Sequence, residues 1–160
     1  MQWAESAGNW SQTTEMDIVA LMFATVILLA VNLAGNALAP VPFTTISQSE
    51  NSGVEQARQV VVRTAEAWKA LWNEHAPGQP MPAVDFTKSM VVGVFLGSRS
   101  TAGYRVTITG IERDGSSAVV SYREERPGAG DMLAQVITFP HHLVRVERLA
   151  GDVKFARADR

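Results

Sequence analysis

The residues to examine first for chemistry are His75, His141 and His142, because neutral imidazole can serve as a metal ligand or a general base. His141 and His142 are adjacent, and neighbours on a strand point to opposite faces, so they cannot chelate one ion together. No HExxH motif, no cysteine and no clustered aspartate pair accompanies them. They are expected to be strand-end histidines held by hydrogen bonds, with no metal and no cofactor. Glu124 and Glu125 fail as an acid–base pair for the same geometric reason. With Arg123 and Arg126 beside them they read as a solvated strand end. Asp85, within Val84-Asp85-Phe86, is expected to cap nearby backbone N–H groups rather than to act as an acid. The run Gly97-Ser98-Arg99-Ser100-Thr101-Ala102-Gly103 has the small polar composition of an anion cradle, but reads as a connection between two strands. A nucleophile elbow, a Walker loop and a dinucleotide fingerprint are all missing, so the chain is expected not to be an enzyme.

These residues sit on elements that the periodicity outlines. Val60-Val61-Val62 is a short β-branched run leading into a helix, with Thr64 as N-cap and Glu66 in the first turn. Ala65, Trp68, Leu71, Trp72 and His75 share one face of that helix, which Pro77-Gly78 ends. Trp68 and Trp72 are read as core rather than as a sugar-stacking platform. Val91 to Leu96 is apolar on both faces, as befits a central strand covered on each side. Tyr104, Val106 and Ile108 alternate with polar residues, and a bulge near Gly110 is needed to bring Ile111 onto their face. Asp114-Gly115 marks a hairpin, and the returning strand sets Ala118, Val120 and Tyr122 on one side. Arg126 to Asp131 reads as a flexible loop and Leu133 to Phe139 as a strand that Pro140 breaks. Strands through Val144 and Val146 and over Val153 to Ala156 follow. The expected fold class is α+β, one main amphipathic helix packed on a mostly antiparallel sheet meander.

Composition bounds the setting. With 14 basic and 16 acidic residues the formal charge is -2, and no basic stripe invites nucleic acid. The absence of cysteine excludes disulfides and thiolate chemistry. Residues 1–39 hold three acids and no base, leaving 14 bases against 13 acids beyond them. Within that segment Ile18 to Val31 is apolar except for Thr25, and the hydrophobic run extends through residue 34. It reads as a signal peptide, with small residues suited to cleavage after Ala39 or, because Pro40 disfavours that cut, after Ala37. No Lys or Arg precedes the run, which a true start at Met16 or Met22 would explain. An uncleaved transmembrane helix is the alternative, since residues 18–34 would span roughly 26 Å of a hydrocarbon core of about 30 Å. A buried core helix fits less well, because the run has no polar face. The expected organisation is thus an N-terminal segment 1–39, a connector 40–57 and a domain 58–160.

One ordered series adds a resemblance. It comprises Trp68, Val84-Asp85-Phe86, Met90-Val91-Val92, Leu96-Gly97, Thr101-Ala102-Gly103-Tyr104-Arg105-Val106 and Pro140-His141-His142-Leu143-Val144. Over roughly residues 58–157 it resembles the PrcB C-terminal domain family, named after a subunit of a secreted bacterial protease complex. Ala102 stands where the family usually has a second glycine, and His141 where an aromatic is common. The resemblance implies that Trp68, Asp85, Phe86, Gly97, Gly103, Tyr104, Pro140 and His142 are structural signature residues. It also implies an extracytoplasmic accessory domain, secreted, periplasmic or membrane-anchored. The expected partner is a protein, with a secreted protease a candidate, and membrane contact runs only through the N-terminal segment. The alternative is an envelope glycan or small-ligand domain using Tyr104 or Tyr122.

Overall fold

A strand that is apolar on both faces needs cover on both, and the architecture follows from that requirement. The structure, a computed structural model, describes residues 38–158. The hydrophobic run 18–34 lies outside the described residues, among which no helix is long and apolar enough to cross a membrane. The elements are β1 (Ala39–Pro40), β2 (Phe43–Ser49), β3 (Arg58–Val62), α1 (Ala65–His75), β4 (Ser89–Phe95), β5 (Arg105–Asp114), β6 (Ser117–Glu125), β7 (His141–Glu147) and β8 (Val153–Arg157). Mostly antiparallel strands with one helix among the described residues make an α+β domain.

The strands form two sheets, in the orders β1-β5-β6-β8 and β2-β7-β4-β3, where a single meander was expected. After the β5–β6 hairpin the chain leaves the first sheet, and β7 inserts between β2 and β4 of the second. It then returns as β8, parallel to β6. The reason lies in β4. Met90, Val92 and Val94 pack with Val144, Val146, Val106, Ile108 and Val120 between the sheets. Val91 and Phe95 pack with Leu143, Trp68, Leu71 and Trp72 under the helix. One sheet cannot cover both faces of its own strand, so the second sheet takes one side and α1 the other. Gly93 makes this closeness possible, since a Cβ there would meet Leu143 Cδ2 at 2.3 Å.

Local chemistry sets the element ends. Thr64 Oγ1 accepts the Ala67 N–H at 3.2 Å and starts α1 with Glu66 in the first turn. Ala76 N–H closes on the Trp72 carbonyl, after which Pro77 cannot continue the helix. The proline-rich loop folds back so that Trp68 Nε1 donates to Pro82 O at 3.0 Å and Trp72 Nε1 to Gln79 O at 3.1 Å. Ala65, expected on the buried stripe, is exposed. In β5 the register shifts between Ile108 and Gly110, which returns Ile111 to the buried face.

Two expectations about the connections change. Within the connector, the short strand expected over Phe43 to Ile46 runs on to Ser49 as β2, where a loop was expected from Gln48, and pairs along β7. The strand expected over Leu133 to Phe139 reduces to an isolated bridge between Arg99 and Thr138. Its natural partner is the connection 97–103, which turns through positive φ at both Gly97 and Gly103 and so offers no straight edge to pair with. Met132, Val136 and Ile137 are consequently exposed.

Candidate functional site

The adjacent histidines at the start of β7 enter different layers. His142 points between the sheets, where the Ile108 N–H donates to its Nδ1 at 2.8 Å. Nδ1 is therefore the acceptor, so Nε2 carries the proton and donates to Thr45 Oγ1 at 2.9 Å. His141 points into the helix layer, its Nε2 at 2.8 Å from Ser47 Oγ and its ring 4.3 Å from that of His75. His75 Nδ1 in turn lies 2.8 Å from Ser52 Oγ. All three rings are buried.

Burial pushes His75 and His142 below the usual imidazole range. His141 is lowered to about 3, by desolvation first and then by the neighbouring His75. A backbone contact at Phe139 acts the other way without offsetting the shift, and His141 Nδ1 has no hydrogen-bond partner. A Ser47–His141 contact has the outline of a nucleophile and base, but an imidazole this hard to protonate is a poor base near neutral pH. Among the described residues no three His, Cys, Asp or Glu side chains group to hold a metal ion. The histidines instead tie β2, α1, β5 and β7 together.

The charged end of β6 differs from expectation. Glu124 is not solvated: its side chain is 8% exposed and sits 3.4, 3.2 and 3.4 Å from Arg99, Arg126 and Arg157. Alternation along β6 sends Glu125 outward, where it pairs with Arg105 and Arg123. Arg99 also donates to Leu96 O at 2.7 Å and lies 5.5 Å from the Tyr104 ring centroid. Beside this cluster a cleft of about 230 Å³ opens between Arg58, Gln59, Phe95, Arg99, Tyr122 and Glu124. Sequence reasoning missed it, because its walls come from strands far apart in the chain. Locally the sequence shows only Arg123 and Arg126 flanking Glu124 and Glu125, which gives no signal of it.

The remaining signature residues hold the fold. Asp85 is exposed, and its Oδ1 accepts the Thr87 N–H at 2.9 Å and the Thr87 hydroxyl at 2.6 Å, bonds that lower its pKa. Phe86 packs beneath α1 and gives its carbonyl to Arg148. Gly97 turns at φ 72° where a Cβ would stand 2.6 Å from Ala57 N. Gly103 N–H donates to Glu50 Oε1 at 3.2 Å. Pro140 is fully buried, and its carbonyl accepts the Leu96 N–H at 2.9 Å. Trp68 and His142 lie in separate layers, so these residues do not converge on one site.

No curated protein and no solved structure matches the chain. A family model described as PrcB C-terminal matches residues 90–147, which leaves β3, α1 and β8 outside the match. Over residues 90–147 the chain is similar to the PrcB C-terminal family.

Proposed function

We propose that this chain is an exported, non-catalytic protein-binding module, an accessory or regulatory partner of a secreted protease. The observation that carries the reading is the PrcB C-terminal match across the four central strands β4 to β7, because the family's name associates it with a protease complex. The burial of all three histidines in neutral hydrogen-bonded settings supports a binding rather than a catalytic role. Export rests on the apolar run 18–34 and places the domain outside the cytoplasm. The test is affinity capture of the tagged full chain from its native organism's envelope and medium, read by mass spectrometry. A stoichiometric secreted protease is the expected result, and a clean blank under mild conditions counts against the reading.

The alternative is an envelope glycan or small-ligand domain, which Tyr122 favours because it lines the cleft. Titration with envelope glycans followed by tyrosine and tryptophan fluorescence separates the two. A flat response across the panel removes the alternative.

A further inference from the structure

Just before β7 the chain carries a strand-forming sequence that is paired on one side only. Met132 to Phe139 is apolar apart from Gln135 and Thr138, with no charge and no proline. On its β4 side it is held at intervals. The Leu96 N–H donates to Pro140 O, Arg99 and Thr138 exchange both backbone bonds at 2.8 and 2.9 Å, and the Ala102 N–H donates to Ala134 O at 3.1 Å. These contacts carry the β4–β7 pairing past the ends of both strands. On the β2 side the pairing stops. The Phe139 N–H donates to Glu50 O at 2.7 Å, after which the chain leaves for the helix layer, where the Gly53 N–H meets the His75 carbonyl.

Backbone groups along a strand alternate in direction, so the side each residue faces follows from these partners. Phe139 faces β2, whereas Thr138 and Ala134 face the β4 side. Gln135 and Ile137 therefore turn their N–H and C=O groups to the place that β2 has vacated, and among the described residues nothing bonds them. Their surroundings are open too, with Ile137 67% and Val136 50% exposed. Three other edges are blunted. β8 carries Lys154 and Arg157, β1 is two residues long and includes a proline, and β2 is broken by a register shift between Thr45 and Ser47. The edge at 133–137 has none of these devices, which suits an edge kept for a partner.

The vacated place spans roughly 16 Å, at about 3.3 Å per residue over 133–137. Its occupant is an extended segment without charge, because residues 132–139 offer a charged side chain no counter-ion. A second copy of the chain fits poorly. Pairing two such segments antiparallel about Gln135 sets Asp131 of one copy opposite Phe139 of the other, where Glu50 already stands. An acid would meet an acid in an occupied position.

We propose that residues 133–137 are the docking edge for an extended, uncharged segment of a partner polypeptide, which takes the place in the sheet that β2 leaves at Glu50. This rests on the reading of the domain as a protein-binding module, and it names the surface and the partner chemistry.

The test uses the isotope-labelled full chain in mild detergent and two synthetic hexapeptides of alternating threonine and valine, blocked at both ends. The second is N-methylated at its two central residues, which removes one donor from each of its edges. The first peptide is expected to shift the amides of Gln135 and Ile137 saturably and to slow their hydrogen exchange. The methylated one should bind at least about tenfold more weakly. I137K should weaken the first peptide about tenfold without moving the unfolding midpoint, since that side chain is exposed. Q135P should do the same, and if it fails to fold, I137K decides. Equal affinity for the two peptides overturns the proposal. So do shifts confined to β3 or β8, or no saturable shift at millimolar peptide. Slow exchange at 133–137 in the chain alone, lost on dilution, assigns the edge to a second copy and overturns the partner segment. Capture with wild type and I137K separates this proposal from the broader reading. A protease held equally by both overturns the edge and leaves the partner. Peptide binding with an empty wild-type capture leaves the edge and overturns the protease partner.

Discussion

Protonating His141 puts a charge 4.3 Å from the His75 ring, in a place that is 1% exposed and gives Nδ1 no acceptor. The folded state therefore keeps this imidazole neutral down to about pH 3, whereas the unfolded chain takes up the proton near 6.5, the ordinary value for a free imidazole. The unfolded state binds more protons in that window, so stability is full above about pH 6.5 and is lost as pH falls toward 3. At pH 5 the loss from His141 alone should be about 2 kcal/mol. Urea midpoints recorded from pH 7.5 to about pH 4.5 should fall steadily. His141→Phe should flatten that slope, and an unchanged slope would remove His141 as its cause. Glu124 makes a second residue-scale prediction. Glu124→Gln keeps the shape but strips three guanidinium groups of their counter-charge, and should cost about 2 kcal/mol in chemical denaturation. A cost near zero would mean that solvent already screens those arginines.

At the scale of elements, α1 and the 97–103 connection depend on single atoms. Thr64→Ala removes the hydroxyl that accepts the Ala67 N–H, and should cost about 1 kcal/mol by urea denaturation. Gly97→Ala is more severe, because the new Cβ would press on backbone at Ala57 in a left-handed turn. At least about 2 kcal/mol is expected there, and a wild-type midpoint would show that the turn relaxes freely. The elements themselves were largely legible in the sequence. Helical spacing from Trp68 to His75 found α1, double-sided apolarity found β4, and a misplaced Ile111 found the bulge of β5. The segment Leu133 to Phe139 misled, since its alternation cannot reveal that its neighbour turns at two glycines. Glu124 misled for a related reason. Arg99 and Arg157 reach it from other parts of the chain, and no local window contains them.

At the scale of the whole molecule, the class was legible but the partition into two sheets was not, because strand order is decided by contacts distant in sequence. β8 shows how much hangs on one late strand. Phe155 and Val153 pack against the inter-sheet core, and β8 covers the edge of β6. Deleting residues 152–160 should leave that edge unpaired and drive concentration-dependent self-association, visible by light scattering. A monodisperse truncated chain would show that the edge is protected some other way. The wiring has one more consequence. β2 finds its partner only in β7, and β6 is bordered on its second side only by β8. A chain emerging from its N-terminus must therefore reach its last strands before either sheet can close. Such non-local pairing slows folding. The order of the strands itself thus keeps the nascent chain open until its last strands have been made.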